Sequence, residues 1–158
     1  MKFGLYTLLI ENHMRKQMVG VPFHFEFGWG NGYVLLPHNH PLYGKNYNDI
    51  DVVDIHGGLT FSESFDIKRF PEWIADLEID GDVTRENYEK FNNYWMIGFD
   101  TAHHGDDLNI CPKSYVANEA YELLEQCLND NIEGIKKYKS VYLRKDKLKR
   151  IDAMDKGE

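Results

Sequence analysis

Histidine and aspartate side chains recur in three short stretches of this 158-residue sequence. The stretches span residues 38–40, 54–56 and 100–106, and all seven histidines precede residue 105. Imidazole nitrogens and carboxylate oxygens are ligands that zinc and other divalent ions take from proteins. We therefore predict one divalent-metal site, for zinc or manganese, built from loops that lie far apart along the chain.

The predicted metal ligands come from each of these stretches and are His40, His56, His103 and Asp100. His38 and His40 form an HxH pair whose two side chains would point the same way on an extended segment. Pro41 restricts the backbone of His40, which favours His40 over His38 as a ligand. The pair is a weak signal, because solvated loop histidines would give the same pattern.

Asp100, Asp106 and His56 are the predicted catalytic residues. A bound ion would lower the pKa of a coordinated water, and a nearby carboxylate would orient a histidine or carry a proton. Gly57, Gly58 and Thr60 are predicted to contact an anionic group of the substrate, since glycines allow close approach to backbone N–H groups. This pattern favours a metal-dependent hydrolase acting on a phosphoester or nucleotide.

Four alternatives remain open at this point. His56 could be a core histidine whose ring nitrogens are both hydrogen-bonded, followed by a β-bulge. Asp100 could cap a turn beside exposed histidines. The same groups would also serve a non-catalytic protein that sequesters a small polar ligand or a host protein, or a purely structural hydrogen-bond network. The sequence has no Walker A motif, no G-x-S-x-G motif and no CxxC pair, and neither Cys111 nor Cys127 has a recognisable activating environment.

The elements that must position these residues are mainly strands. Residues 3–10 and the apolar run 94–99 predict strands, the second buried on both faces. Alternating aromatic residues predict a hairpin over 23–36 that turns at Asn31-Gly32. A further strand is predicted at 50–56, continuing at 59–62 after a break at Gly57-Gly58.

Helical spacing follows Ser114, the predicted N-cap. The apolar stripe of this predicted helix consists of Val116, Ala120, Leu123, Leu124 and Cys127. It would continue to Tyr138 if Gly134 does not end it, and residues 141–143 predict a short edge strand. Short helices are predicted at 71–77 and 84–92.

The predicted fold is α+β, a mostly antiparallel sheet packed against one long C-terminal helix plus short helices. It would comprise one domain over 1–140 and a basic extension or tail over 141–158.

Charge is distributed unevenly around a net value of −8. Residues 1–135 carry nine Lys/Arg against 22 Asp/Glu, whereas residues 136–158 carry nine against four. The acidic body disfavours nucleic acid and leaves a small polar or phosphorylated ligand as the expected partner. The basic end would permit homo-oligomeric contacts with that body, although a solvated tail is the simpler interpretation. We expect no membrane span, because Glu11 ends the apolar N-terminal run early.

Several motifs together resemble a family of small uncharacterised proteins from bacteriophages and their bacterial hosts. The resemblance covers about residues 33–106 and rests on His40-Pro41-Leu42-Tyr43-Gly44, His56-Gly57-Gly58-Leu59-Thr60-Phe61-Ser62, Gly98-Phe99-Asp100, Ala102-His103 and Asp106. It implies no particular activity, and it places no fixed histidine at positions 38 or 104. It favours one histidine from each of three segments. The two cysteines do not form the pattern of a disulfide framework and the N-terminus lacks a signal-peptide cleavage site, so we expect a cytoplasmic location, the host cytosol if the gene is phage-encoded.

Overall fold

The computed structural model describes residues 2–12, 27–70, 77–79 and 85–155. Five strands form one antiparallel sheet in the order β3-β5-β2-β1-β4. Their bounds are Tyr6–Glu11 for β1, Gly30–Leu36 for β2, Phe61–Ser64 for β3, Leu77–Ile79 for β4 and Trp95–Phe99 for β5. The described strands and helices confirm the predicted α+β class.

Two α-helices follow the sheet, α1 over Lys113–Gln126 and α2 over Ile135–Asp155. The predicted stripe of α1 is confirmed, because Val116, Ala120, Leu123, Leu124 and Cys127 are all buried. The predicted cap is wrong, since Pro112 is the N-cap and α1 begins at Lys113. The predicted continuation to Tyr138 is interrupted, because α1 ends at Gln126, and Gly134, with a φ of +89°, lies directly before α2. Residues 141–143 are helical, so the predicted edge strand is also wrong.

Apolar side chains cover both faces of the sheet. On one face Val34, Leu36 and Ile97 pack with the buried stripe of α1. On the opposite face Leu35 and Met96 belong to a second cluster, which also contains Leu8, Tyr33, Phe65, Ile79, Tyr88 and Phe91. Because β2 and β5 are covered on both sides, the prediction of a doubly buried strand at 94–99 is confirmed.

The tight turn predicted at Asn31-Gly32 is wrong. Strand β2 runs straight through these residues, which pair with Ile10 and Leu9 of β1. Gly32 serves a packing purpose instead, because a Cβ there would lie 2.6 Å from the Cζ atom of Phe99. The first half of the predicted hairpin, residues 23–26, lies outside the described residues.

The segment 50–56 is irregular, so the predicted third strand there is wrong. Ile50 and Ile55 are nevertheless buried in the cluster beside α1, and the strand proper begins at Phe61. Three short 3₁₀ helices cover Tyr47–Asp49, Ile67–Arg69 and Arg85–Phe91, the last where a helix was predicted over 84–92. The helical turn predicted at 71–77 falls mostly on residues that are not described, and Leu77 begins β4.

Candidate functional site

Two loops that carry histidine and aspartate emerge from the same end of the sheet. Strand β3 begins at Phe61, which pairs with Gly98 near the end of β5. The N–H of Thr60 donates to the carbonyl oxygen of Gly98 over 2.9 Å, which extends this ladder by one bond. The loop before β3 and the loop after β5 are therefore held side by side, although about 45 residues separate them in sequence.

His56, His103 and Asp106 converge at this edge. Each offers one nitrogen or oxygen atom, and these atoms all lie within 4.8 Å of one another. The Nε2 atom of His56 lies 2.9 Å from Oδ1 of Asp106, and Nδ1 of His103 lies 3.3 Å from Oδ2 of the same carboxylate. Asp100 adds a second carboxylate, with its Oδ1 atom 3.3 Å from Nδ1 of His103. The group has the donor atoms and the compactness of a divalent-metal site.

Asp106 is the buried centre of the cluster, with a side chain only 7% exposed. Its Oδ2 atom accepts a hydrogen bond from the backbone N–H of His103 over 2.9 Å and lies 3.0 Å from Nε2 of His56. Burial by itself would raise the pKa of Asp106, but the hydrogen bonds from His56 and His103 outweigh it, and the net pKa is lowered. The carboxylate is therefore ionised at neutral pH and attracts a cation.

A hydrogen-bond chain fixes the proton on His56. The hydroxyl of Tyr115, on the first turn of α1, donates to Oε1 of Glu119 over 2.9 Å. Since its single proton is used there, the Tyr115 oxygen must accept from Nδ1 of His56, which lies 2.9 Å away. Nε2 of His56 faces Asp106, and a hydrogen bond from it to the carboxylate requires a proton on this nitrogen as well. A bound metal would take the place of that second proton. Metal-bound histidines are commonly oriented in this way through their other nitrogen.

Gly57 allows His103 to reach the cluster. A Cβ at Gly57 would lie 2.5 Å from Cε1 of the His103 ring, and the residue has a φ of +66°, which favours glycine. The observed neighbour of Gly57 is thus an imidazole. The N–H of Gly58 donates to the carbonyl oxygen of Ile55, and that of Thr60 to Gly98. The substrate-contact role of Gly57, Gly58 and Thr60 stays a prediction. Two of their three backbone N–H groups, those of Gly58 and Thr60, already donate to carbonyl oxygens within the protein.

His40 lies at the other end of α1 and does not join the cluster. Its Nε2 donates to the carbonyl oxygen of Cys127 over 2.9 Å, and its Nδ1 accepts from the N–H of Leu42 over 3.0 Å. Tyr115, which contacts His56, is 12 residues from Cys127, a helical distance of about 18 Å at 1.5 Å per residue. Burial lowers the pKa of His40 to about 4, so the ring is neutral. Both ring nitrogens hold the fold together, and neither is available as a metal ligand.

The remaining sequence histidines are also apart from the cluster or not described. His38 contacts the Tyr43 ring edge-on, with ring centroids 4.8 Å apart, and His104 is exposed. His24 and Glu26, the other polar pair on the predicted hairpin, lie outside the described residues. The three-segment assembly expected from the sequence is therefore reduced to two loops.

Sequence reasoning missed three residues that line the cluster. Tyr115 and Glu119 are spaced by four on α1, the spacing that lets side chains meet on a helix, and this was the available signal. Cys111 lies with its sulfur 3.7 Å from Oδ1 of Asp106 and 4.0 Å from Nε2 of His56. Burial, and then the negative charge of Asp106, raise the pKa of the Cys111 thiol to about 11. A thiol with so high a pKa is a poor free nucleophile.

The fold and the cluster together define an α+β protein with a five-stranded antiparallel sheet and a His/Asp group suited to a divalent cation. Comparisons with protein-family models, with curated proteins and with solved structures found no match to this chain. Within the described residues, neither helix has an apolar stretch long enough to cross a membrane.

Proposed function

We propose that this protein is a metal-dependent hydrolase whose ion is held by His56, His103 and Asp106. The observation that carries the proposal is the convergence of these three ligands from two loops, with the His56 proton fixed by Tyr115 and Glu119. Two histidines and one carboxylate, with a position left for water, form the ligand set of many catalytic zinc sites. A bound divalent ion would supply hydroxide near neutral pH.

One side of the cluster is buried and the other is partly exposed to solvent, as a catalytic site requires. The Asp106 side chain is 7% exposed, whereas those of His103 and Asp100 are 38% and 33% exposed. A substrate and a water molecule would approach from the His103 and Asp100 side. Asp100 is placed to accept a proton from that water, because its carboxylate lies at this open rim. Asp106 would serve as the buried ligand and His56 as its oriented partner.

A phosphoester is the substrate class to test first. Metal-bound hydroxide attacks phosphorus readily, and the ion itself would neutralise the charge of the phosphoryl oxygens. The acidic body would repel long polyanions such as nucleic acids, which favours a small phosphorylated molecule as the substrate. Zinc and manganese both fit the nitrogen and oxygen donors of the three ligands.

A matched pair of neighbouring histidines provides the experiment. The protein is purified without a histidine tag, loaded with zinc or manganese, and compared with the His103→Ala and His104→Ala variants. We expect one equivalent of metal, and hydrolysis of bis(p-nitrophenyl) phosphate, in the parent protein and in His104→Ala, with both lost in His103→Ala. Equal metal content in the two folded variants would contradict the ligand assignment.

The outcome also separates hydrolysis from the other interpretations. Stoichiometric metal without turnover of any phosphoester would refute the hydrolase and leave a metal-binding protein. A protein that takes up no metal, in which His56→Ala mainly lowers the free energy of unfolding, would make the cluster a structural hydrogen-bond network.

A second candidate function is favoured by two exposed apolar residues between Asp106 and Cys111. Leu108 is 42% exposed and Ile110 is 57% exposed. This candidate is a protein that binds an apolar partner at the same rim, and partner binding unaffected by His103→Ala would support it.

A further inference from the structure

Cys111 is placed within reach of the same ion. Its side chain is fully buried, with the sulfur atom 3.7 Å from Asp106 and 4.0 Å from His56. Two backbone hydrogen bonds hold the residue: its N–H donates to the carbonyl oxygen of Asp107 over 2.7 Å, and its carbonyl oxygen accepts from Trp29 over 2.8 Å. The sulfur is therefore positioned by the backbone before any ion binds.

The distances from the sulfur to Asp106 and His56 are close to those in a tetrahedral site. Zinc lies about 2.3 Å from a cysteine sulfur and about 2.0–2.1 Å from nitrogen or oxygen ligands, which separates neighbouring ligand atoms by about 3.5 Å when sulfur is one of them. The observed separations of 3.7 Å and 4.0 Å exceed that value by about half an ångström or less. A side-chain rotation of Cys111 would close the gap to these two ligands.

Nucleophilic catalysis by Cys111 fits the same geometry poorly. In a catalytic triad one imidazole nitrogen faces the nucleophile and the other faces the carboxylate. Here the Nε2 atom of His56 faces both Cys111 and Asp106, while Nδ1 is bonded to Tyr115. The thiol is also fully buried, which denies a substrate access to it. Coordination of an ion uses the observed arrangement without moving the ring.

We propose that Cys111 is a fourth ligand of the metal site and makes it selective for zinc over manganese. The inference rests on the metal site proposed above and adds a soft donor to two nitrogens and one oxygen. When the ion binds, a metal–sulfur bond forms, the S–H bond breaks, and the proton leaves to the buffer. Thiolate ligands select zinc and cobalt, whereas manganese prefers oxygen donors.

Coordination by Cys111 also regulates access of water to the ion. Four protein ligands complete a tetrahedral sphere, so water reaches the ion only by expansion to five-coordination or by displacement of the thiolate. His103 and Asp100 mark the open side from which a fifth ligand would enter, since both are about one third exposed. Removal of the Cys111 thiol therefore leaves three ligands and a permanently open position.

Cobalt spectroscopy tests the sulfur ligand, and the second buried cysteine provides the control. The untagged protein, Cys111→Ala and Cys127→Ala are each titrated with cobalt(II). We expect visible cobalt bands in all three, and a thiolate-to-cobalt charge-transfer band only in the parent and in Cys127→Ala. The preference for zinc over manganese is expected to fall by about tenfold or more in Cys111→Ala, because loss of even an outer-shell partner of a ligand costs 10–100-fold in affinity.

Each result separates the two proposals. Visible cobalt bands without a charge-transfer band in the parent would refute sulfur ligation and leave the His/Asp site intact. No cobalt bands in the parent would refute the metal site, and the Cys111 ligand with it. If Cys111→Ala does not fold, zinc-edge X-ray absorption of the parent protein decides the question. A sulfur shell at about 2.3 Å supports the inference, and a shell of nitrogen and oxygen alone overturns it.

Discussion

Replacement of Gly57 by alanine tests whether the position of the His103 ring controls metal binding. The new Cβ would lie 2.5 Å from Cε1 of His103 and 2.9 Å from both ring nitrogens. Since carbon atoms pack at about 3.5–4.0 Å, the ring must retreat by about 1 Å. Metal–ligand distances tolerate only about 0.2 Å, so His103 should cease to be an effective ligand.

Gly58→Ala is the matched control for this change. Gly57 and Gly58 have φ values of +66° and +78°, and a Cβ at Gly58 would meet nothing within 4 Å. Both alanines therefore impose the same backbone strain, about 1–2 kcal/mol in the free energy of unfolding. Only the Gly57 variant also displaces a ligand, and we expect its metal affinity to fall by about 10–100-fold or more.

Calorimetric metal titration and urea unfolding measure the two effects separately. The expected result is a drop in urea midpoint for both variants without metal, at least as large in Gly57→Ala because its His103 ring must also move, and a large loss of metal affinity in Gly57→Ala alone. Unchanged metal affinity in Gly57→Ala would refute the role of the His103 ring. A fall in affinity of the same size in Gly58→Ala would show that backbone strain, and not the ring, controls the site.

Three other perturbations have defined outcomes. The folded-state pKa of His40, about 4, lies below its unfolded value of 6.5, so the unfolded chain binds the proton first as pH falls. Its contribution of about 3 kcal/mol is therefore complete above pH 6.5 and lost toward pH 4, and a pH series of urea unfolding should flatten in His40→Asn. Tyr115→Phe removes the acceptor for Nδ1 of His56 and should weaken metal affinity by about 10–100-fold, measured by competition with a chelator; unchanged affinity would count against the chain to Glu119. Thr101→Val leaves a buried carbonyl oxygen without the 2.7 Å bond from the Thr101 hydroxyl, at a cost of about 1–3 kcal/mol in unfolding free energy, and a change below that range would contradict the bond.

Local sequence patterns correctly predicted those helices and strands in which the buried residues follow the spacing of apolar residues in the sequence. The stripe of α1 and the apolar run of β5 are buried as their spacing indicates, because each element packs directly on the core. Asn31-Gly32 has the residues of a tight turn but extends in β2, since pairing with β1 outweighs a local turn preference. Segment 50–56 alternates like a strand yet is irregular, and the N–H of Asp54 bonds the side chain of Gln126 instead.

The candidate site was partly visible in the sequence for a related reason. His56, His103 and Asp106 lie in loops beside strands, where residue type alone suggested chemistry. Their convergence depends on the pairing of β3 with β5, which links residues far apart in sequence and has no local signature. His40 had the same residue type but packs on the C-terminal end of α1, and its role became apparent only from its two hydrogen bonds.

The position of β3 has a consequence for how the protein opens. This strand is four residues long and lies at the edge of the sheet, and it carries the loop of His56, whereas His103 follows the interior strand β5. Edge strands detach at lower free energy than interior ones, so brief fraying of Phe61–Ser64 would separate the two halves of the cluster while the core stays folded. An ion bound by both loops would oppose this fraying. Amide hydrogen exchange in these four residues should therefore slow selectively when metal is added.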